Sequence, residues 1–139
     1  VLRSDHPLAR RTVLQPQDFE GEAFVSLAPT DPYRQQIDAV LGAAGVQRRL
    51  RVESPSAVSV CALVQQGLGV AIVNPLTALS FNGQGLAVRR LSFSVPFHVA
   101  MVLPAWRSEH PLRAALQQGL VAAAAALAER LEPGNLIGQ

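Results

Sequence analysis

Two short stretches place hydrogen-bonding side chains directly ahead of a proline: Ser26-Leu-Ala-Pro-Thr-Asp-Pro-Tyr33 and Val73-Asn-Pro75. Proline is tolerated at the first position of a helix, whose N–H has no helical partner anyway, and Thr, Asp or Asn before it is a usual cap. Each stretch also ends an apolar run of strand length, Ala23–Leu27 or Val70–Val73. A strand end that feeds a helix start aims free N–H groups and the positive end of a helix dipole at one spot, which suits an anionic group. Ser26, Thr30 and Asn74 would hydrogen-bond such a ligand. Asp31 would oppose an anion or hold an ammonium, so an amino-acid-like compound suits both ends. The plainer alternative is that Thr30 and Asn74 only cap their own helices, and for each residue taken alone it is the better account.

Other reactive side chains form no recognisable machinery. His6, His98 and His110 are far apart, and Cys61 has no second cysteine to share a metal, so no metal site and no cofactor are expected. No serine sits in a Gly-x-Ser-x-Gly elbow, and Ser26 lies inside an apolar run rather than on a strained turn. Asp18, Glu20 and Glu22, like Glu129 and Glu132, read as solvated faces rather than as acid–base pairs. The chain is therefore read as a binding module and not as an enzyme.

Composition narrows the setting. All twelve basic residues are arginine, which we attribute to codon bias because they do not gather into a phosphate-binding stripe. A net charge of +2 does not call for a nucleic-acid partner. With 49% apolar and 16% charged residues, the 139-residue chain has enough apolar side chains for one core and does not read as disordered. A single cysteine excludes an intrachain disulfide and fits a reducing compartment. Because the first residue is Val1 rather than Met, the chain is expected to be part of something longer.

The elements that must hold the two stretches follow from periodicity. Residues 1–22 read as a turn-rich connector with a helical turn near Pro16–Phe19. After the strand Ala23–Leu27, a helix opens at Thr30 or Asp31, carries Tyr33, Ile37, Val40, Leu41 and Ala44 on one stripe, and stops at Gly45. Arg48–Glu53 is a strand with one wet face, Ser54–Ser56 caps a helix to about Gln66, and Val70–Val73 is a buried strand. A helical turn follows Asn74 to about Leu79, then come a short strand at Leu86–Leu91 and a longer buried one at Phe97–Leu103. A last helix starts near Ser108–Pro111, with Leu112, Leu116, Leu120, Ala123, Leu127 and Leu131 as its stripe, and Glu132–Gln139 is a tail. Such alternation indicates an α/β fold, a mixed sheet with helices on its faces.

The uncharged run "ALVQQGLGVAIVNP" (Ala62–Pro75) admits three readings. As a membrane span it is broken by Gln65, Gln66, Gly67, Gly69, Asn74 and Pro75, which would strand polar groups in lipid. As a dinucleotide loop it has its glycines after a helix and before a strand, the reverse of the required order. The remaining reading makes Gly67 a helix stop and Gly69 a tight entry into a strand. On the preceding helix, Val58, Val60, Cys61, Leu63 and Val64 surround most of the circumference. Either an interior position or a subunit interface formed by Val58, Val60, Cys61 and Val64 accounts for that.

Together, "VLRSDHPLA", "DFEGEAFVSL", "RQQID…LGAAG" and "ALVQQGLGVAIVNP", in this order, resemble the C-terminal effector-binding domain of LysR-type transcriptional regulators, over nearly the whole chain to about Arg130. The resemblance implies a two-lobed, periplasmic-binding-protein-like (type II) α/β fold with the effector between the lobes. Residues 1–96 would be lobe two with its entry connector, and 97–131 the return strand and C-terminal helix of lobe one. It implies a small-molecule effector, with "VNPLTA" similar to members that respond to amino acids or opine-like compounds, and contacts at Ser26, Thr30, Asp31 and Asn74. It also implies a cytoplasmic homodimer or tetramer, with the helix carrying Val60 packed on lobe one of a partner. DNA would be bound only through an N-terminal domain that these residues do not include, and no membrane is involved. The rival is a periplasmic-type solute-binding protein of a transporter, on the same fold.

Overall fold

A computed structural model describes residues 1–103 and 110–131. They fall into two units, Val1–Phe97 and, beyond it, a unit beginning at His98.

The first unit is built around one apolar run in the middle of the chain. Strand β3 (Ala23–Leu27) pairs in parallel with β4 (Arg49–Ser54), and a register shift between Phe24 and Val25 kinks the pair. On its other edge β3 meets the segment 70–73, which runs parallel to it: the Val25 N–H donates to the Val70 carbonyl at 2.9 Å and the Val70 N–H to the Ala23 carbonyl at 2.8 Å. That segment exchanges a pair of bonds with Val1, of 2.8 and 2.9 Å, which orients the first residues antiparallel to it. Next to it β1 (Leu2–Arg3) pairs antiparallel with β5 (Leu86–Ala87). The lateral order is thus β4, β3, 70–73, β1, β5. A further short pair, β2 (Val13–Leu14) with β6 (Arg90–Leu91), is parallel.

Both faces of this sheet are covered, which explains why its central strands carry no polar alternation. Phe24, Val70 and Ile72 face one cluster with Ile37 and Leu41 of helix α1 (Pro32–Ala43). Val25, Leu27, Ala71 and Val73 face a second cluster with Val60, Cys61 and Val64 of helix α2 (Ala57–Gln65). The connector is tied down by Leu2, Leu14 and Phe19 in the first cluster, and its turn at Pro16–Phe19 is present. Helix α3 (Pro75–Phe81) follows the 70–73 segment.

Gly69 sets how closely that segment approaches β3. Its φ is 150°, and a Cβ there would lie 2.1 Å from the Ala23 carbonyl oxygen. Only glycine fits this place, and the parallel bond from Val70 to Ala23 depends on it. Gly67, at φ 80°, ends α2 just before.

Several expectations need correction. The run Val70–Val73 is extended and buried, but only Val70 bridges β3, and Ala71 bonds Val1 on the opposite edge. Leu86–Leu91 is two separate two-residue pairings rather than one strand. Phe97–Leu103 is neither paired nor buried, with Val99 74% and Val102 90% exposed. A strand needs a neighbouring edge to bond, and no described residue pairs with this segment as a strand. In that unit helix α4 (Arg113–Arg130) has no buried residue among those described, so the expected leucine stripe meets no core there. The expected cap near Ser108 and the tail from Glu132 lie outside the described residues.

The apolar circumference of α2 follows the interior reading for three residues rather than the interface that the resemblance implied. Val60, Cys61 and Val64 are 0% exposed, inside the chain's own core, so they have no surface to give to a partner. Val58, on the opposite side, is 56% exposed.

Candidate functional site

From the parallel Phe24–Val70 bridge both runs continue without further pairing to each other, and their last apolar residues, Leu27 and Val73, pack in one buried cluster. Each end leads straight into a proline-started helix. These two helix starts and the loop Ala28–Asp31 form the candidate site.

At the first start, Asp31 is the cap. Its Oδ1 accepts the Tyr33 N–H at 2.7 Å and the Arg34 N–H at 3.3 Å. The amides expected to bind an anion therefore already hold a carboxylate. This overturns the anion reading of this tip and leaves Oδ2, which takes no bond among the described residues, as an acceptor for a cationic group. Thr30 is exposed beside it and caps nothing. At the second start, Asn74 Oδ1 accepts the Thr77 N–H at 2.9 Å. Its amide NH2 makes no bond among the described residues and remains a donor.

Ser26 does not join them. It is 1% exposed, in register with Glu53 one residue below the tip of β3, and an effector at the edge has no path to it. Thr30, Asp31 and Asn74 thus share one edge of the sheet, and Ser26 lies beneath it.

Sequence reasoning overlooked Arg34. It is 6% exposed and ties three elements to one guanidinium. Nη1 donates to the Leu27 carbonyl at 2.8 Å and to Glu53 Oε1 of β4 at 2.9 Å, while Nε donates to the Asp38 carboxylate at 2.7 Å. Arg48 donates to the same Asp38 and lies over the Phe24 ring, 4.6 Å from its centre. Burial pulls the Arg34 pKa down, but the bonds from Asp38 and Glu53 outweigh it and the net shift is upward. A signal was available: Arg34 lies three residues before Ile37 and seven before Leu41, on the inward stripe, with Asp38 four residues on.

Tyr33 adds an aromatic wall in the first turn of α1, edge-to-face with Phe97 at 5.8 Å between ring centres. Burial raises its phenol pKa. Burial likewise raises that of the Cys61 thiol, which disfavours the thiolate a nucleophile or metal ligand needs. Among the described residues no three His, Cys, Asp or Glu side chains gather to hold a metal, and no helix is long and apolar enough to cross a membrane.

Comparison with known proteins matches this chain to a family model described as the LysR substrate binding domain, over residues 1–128. The transcriptional activator protein LysR of Escherichia coli (strain K12) is 48% identical over 124 residues, which is 86% of this chain and 40% of that protein. Regulatory protein NocR of Agrobacterium tumefaciens (strain T37) is 38% identical over 104 residues, 75% of this chain and 35% of that protein. The chain therefore spans about two fifths or less of the length of these relatives. Among solved structures, the CcmR regulatory domain of Synechocystis PCC6803 in complex with 2-PG superposes with a TM-score of 0.65 at 17% identity, over 88% of this chain and 60% of that one. The regulatory domain of NMB2055 (MetR) from N. meningitidis gives 0.56 at 24% identity, over 66% and 42%. At these identities the structures establish the fold: the α/β, periplasmic-binding-protein-like architecture of LysR regulatory domains.

Proposed function

Since this chain belongs to the LysR substrate-binding-domain family, we propose that it is the ligand-sensing part of a transcriptional regulator, and that its sheet edge at Thr30, Asp31 and Asn74 is one wall of the effector site. The observation that carries this is that two parallel neighbouring runs, bridged at Phe24 and Val70 and sharing a buried cluster at Leu27 and Val73, each lead into a capped, proline-started helix. In open α/β sheets that is where ligands bind. The CcmR domain of the same fold, in complex with 2-PG, supports a small polar ligand. The relatives' names, both regulators, favour a sensor over a transporter's solute-binding protein.

The effector class follows from the two caps. Asp31 Oδ2 suits an ammonium and the Asn74 amide suits a carboxylate, so the ligand is amino-acid-like or opine-like, a zwitterion rather than a simple anion. Residues 1–96 then form lobe two, and 97–131 return to lobe one. Effector binding shifts the population between arrangements of lobes or subunits by its differential affinity for them. The protein acts in the cytoplasm as a homodimer or tetramer, with Val58, alone of the four expected interface residues, exposed to face a partner. DNA is bound through a separate N-terminal domain.

Hydrogen exchange tests the site. With each of the twenty free L-amino acids added to the protein carrying this chain, a binder is expected to protect amides at 28–33 and 74–77. Protection confined to other parts of the first unit would contradict the assignment.

A further inference from the structure

The strand ladder alone does not fix the loop that carries Thr30 and Asp31, since the last paired residues are Leu27 and Ser54. Beyond them the backbone offers the loop one turn bond, from the Asp31 N–H to the Ala28 carbonyl at 2.9 Å, and the Gln35 side chain reaches the Pro29 carbonyl at 3.1 Å. The Asp31 cap adds the bonds from the Tyr33 and Arg34 N–H groups, and beneath the loop lies the Arg34 side chain. It points back along the helix toward the strand end, as helical side chains do, and bonds the last carbonyl of β3, the carboxylate of Glu53 on β4 and that of Asp38 one turn further along α1.

Only the guanidinium of this cluster is buried, with the Asp38 and Glu53 side chains 39% and 35% exposed, so solvent screening leaves these ion pairs a modest contribution to stability. What it gives is direction. A guanidinium has its donors in one rigid plane, so bonds to three partners fix those partners relative to each other. Arg48 reinforces the arrangement by holding Asp38 from the other side while stacked on Phe24.

We infer that Arg34 is a positioning residue of the effector site: its guanidinium locks the tip of β3, the edge strand β4 and the first turn of α1 into one geometry, and so sets where Thr30 and Asp31 stand. This rests on the proposed effector site, but the lock itself can be tested without a ligand. Lysine cannot replace it, because a single ammonium has no planar fork to reach the Leu27 carbonyl and both carboxylates together.

The test uses Arg34→Met and Arg34→Lys in the protein carrying this chain, followed by amide exchange. Arg34→Met is expected to speed exchange at 28–34 by about tenfold or more, while Phe24, Val25 and Ile37 keep their protection. Arg34→Lys is expected to fall between it and the wild type, and supplies the comparison where Arg34→Met does not fold. Unchanged exchange in the loop, or a uniform loss of protection through β3 and α1, would overturn the inference. A second arm adds each of the twenty free L-amino acids to the wild type and follows Tm. Any that raises Tm is expected to bind Arg34→Met at least tenfold more weakly, with Asp31 and Asn74 intact; equal affinity would overturn the positioning role. A loosened loop with no stabilising amino acid supports the lock while removing support from the effector class proposed above.

Discussion

The helix after β3 and the helix after Val70–Val73 both open on a proline behind a capping side chain, yet Asp31 brings a carboxylate to the first and Asn74 a neutral amide to the second. The first start is held from below by Arg34 and its two carboxylate partners. The described residues give the second start no such cluster, and its floor is the apolar side chains of Val73, Ala78 and Leu79. Two starts of the same sequence type thus differ in the charge of the cap and in what supports it from below. A capping carboxylate occupies the N–H groups that an anionic ligand would need, whereas a neutral amide cap brings no charge.

The comparison breaks most severely if the two starts no longer lie side by side. Gly69→Ala drives a methyl group into the Ala23 carbonyl and requires a backbone angle that alanine avoids, so a loss of roughly 3–5 kcal/mol is expected in denaturant unfolding. A variant of near wild-type stability would mean that the segment beside β3 can move away freely. The floor shared by both starts comes next. Val60 packs in the cluster that holds Leu27 and Val73, and Val60→Ala is expected to cost about 2 kcal/mol. Val58→Ala, on the exposed side of the same helix, is expected to cost less than about 0.5 kcal/mol. If Val58 meets a partner, sedimentation will show the second variant dissociating without unfolding.

The caps themselves give smaller effects. Asp31→Ala and Asn74→Ala are each expected to lower stability by about 1 kcal/mol. Asp31→Asn is expected to retain more of it than Asp31→Ala, since an amide oxygen still accepts both N–H groups. The smallest effect is pH dependence. Burial raises the Tyr33 phenol above its ordinary value of 10.0, so the folded state favours the protonated form. That contribution is complete below the unfolded pKa and is lost as pH rises through the folded one. Between pH 9 and 11 the wild type is therefore expected to lose more stability than Tyr33→Phe, in parallel urea titrations. Equal losses would show Tyr33 to be solvated.

Much of the frame was legible in the residues. A run such as Val70–Val73 with no polar alternation signals a strand covered on both faces, and clusters lie on both. Asp-Pro and Asn-Pro marked the two helix starts, because capping chemistry is local and needs no tertiary knowledge. What was not legible depended on partners distant in sequence. Ser26 reads as a donor at a strand end, but only the register with β4 shows it to be one residue too deep. Arg34 carries a sign of burial in its place on the inward stripe, but its partner Glu53, nineteen residues on, shows only in the fold. Val60, Cys61 and Val64 read as either interior or interface, because an apolar helix does not announce which of its sides the core will take. Phe97–Leu103 has the composition of a buried strand, yet composition supplies no edge to pair with.

Titration calorimetry of the protein carrying this chain, with free L-amino acids and their N-acetyl derivatives, addresses the two-cap site most directly. An amino acid that binds is expected to lose nearly all affinity on N-acetylation, to bind Asp31→Asn at least about tenfold more weakly, and to be weakened also by Asn74→Ala. An N-acetyl derivative that binds as well as its parent, or a binder indifferent to both substitutions, would contradict the assignment of an ammonium to Asp31 and a carboxylate to Asn74.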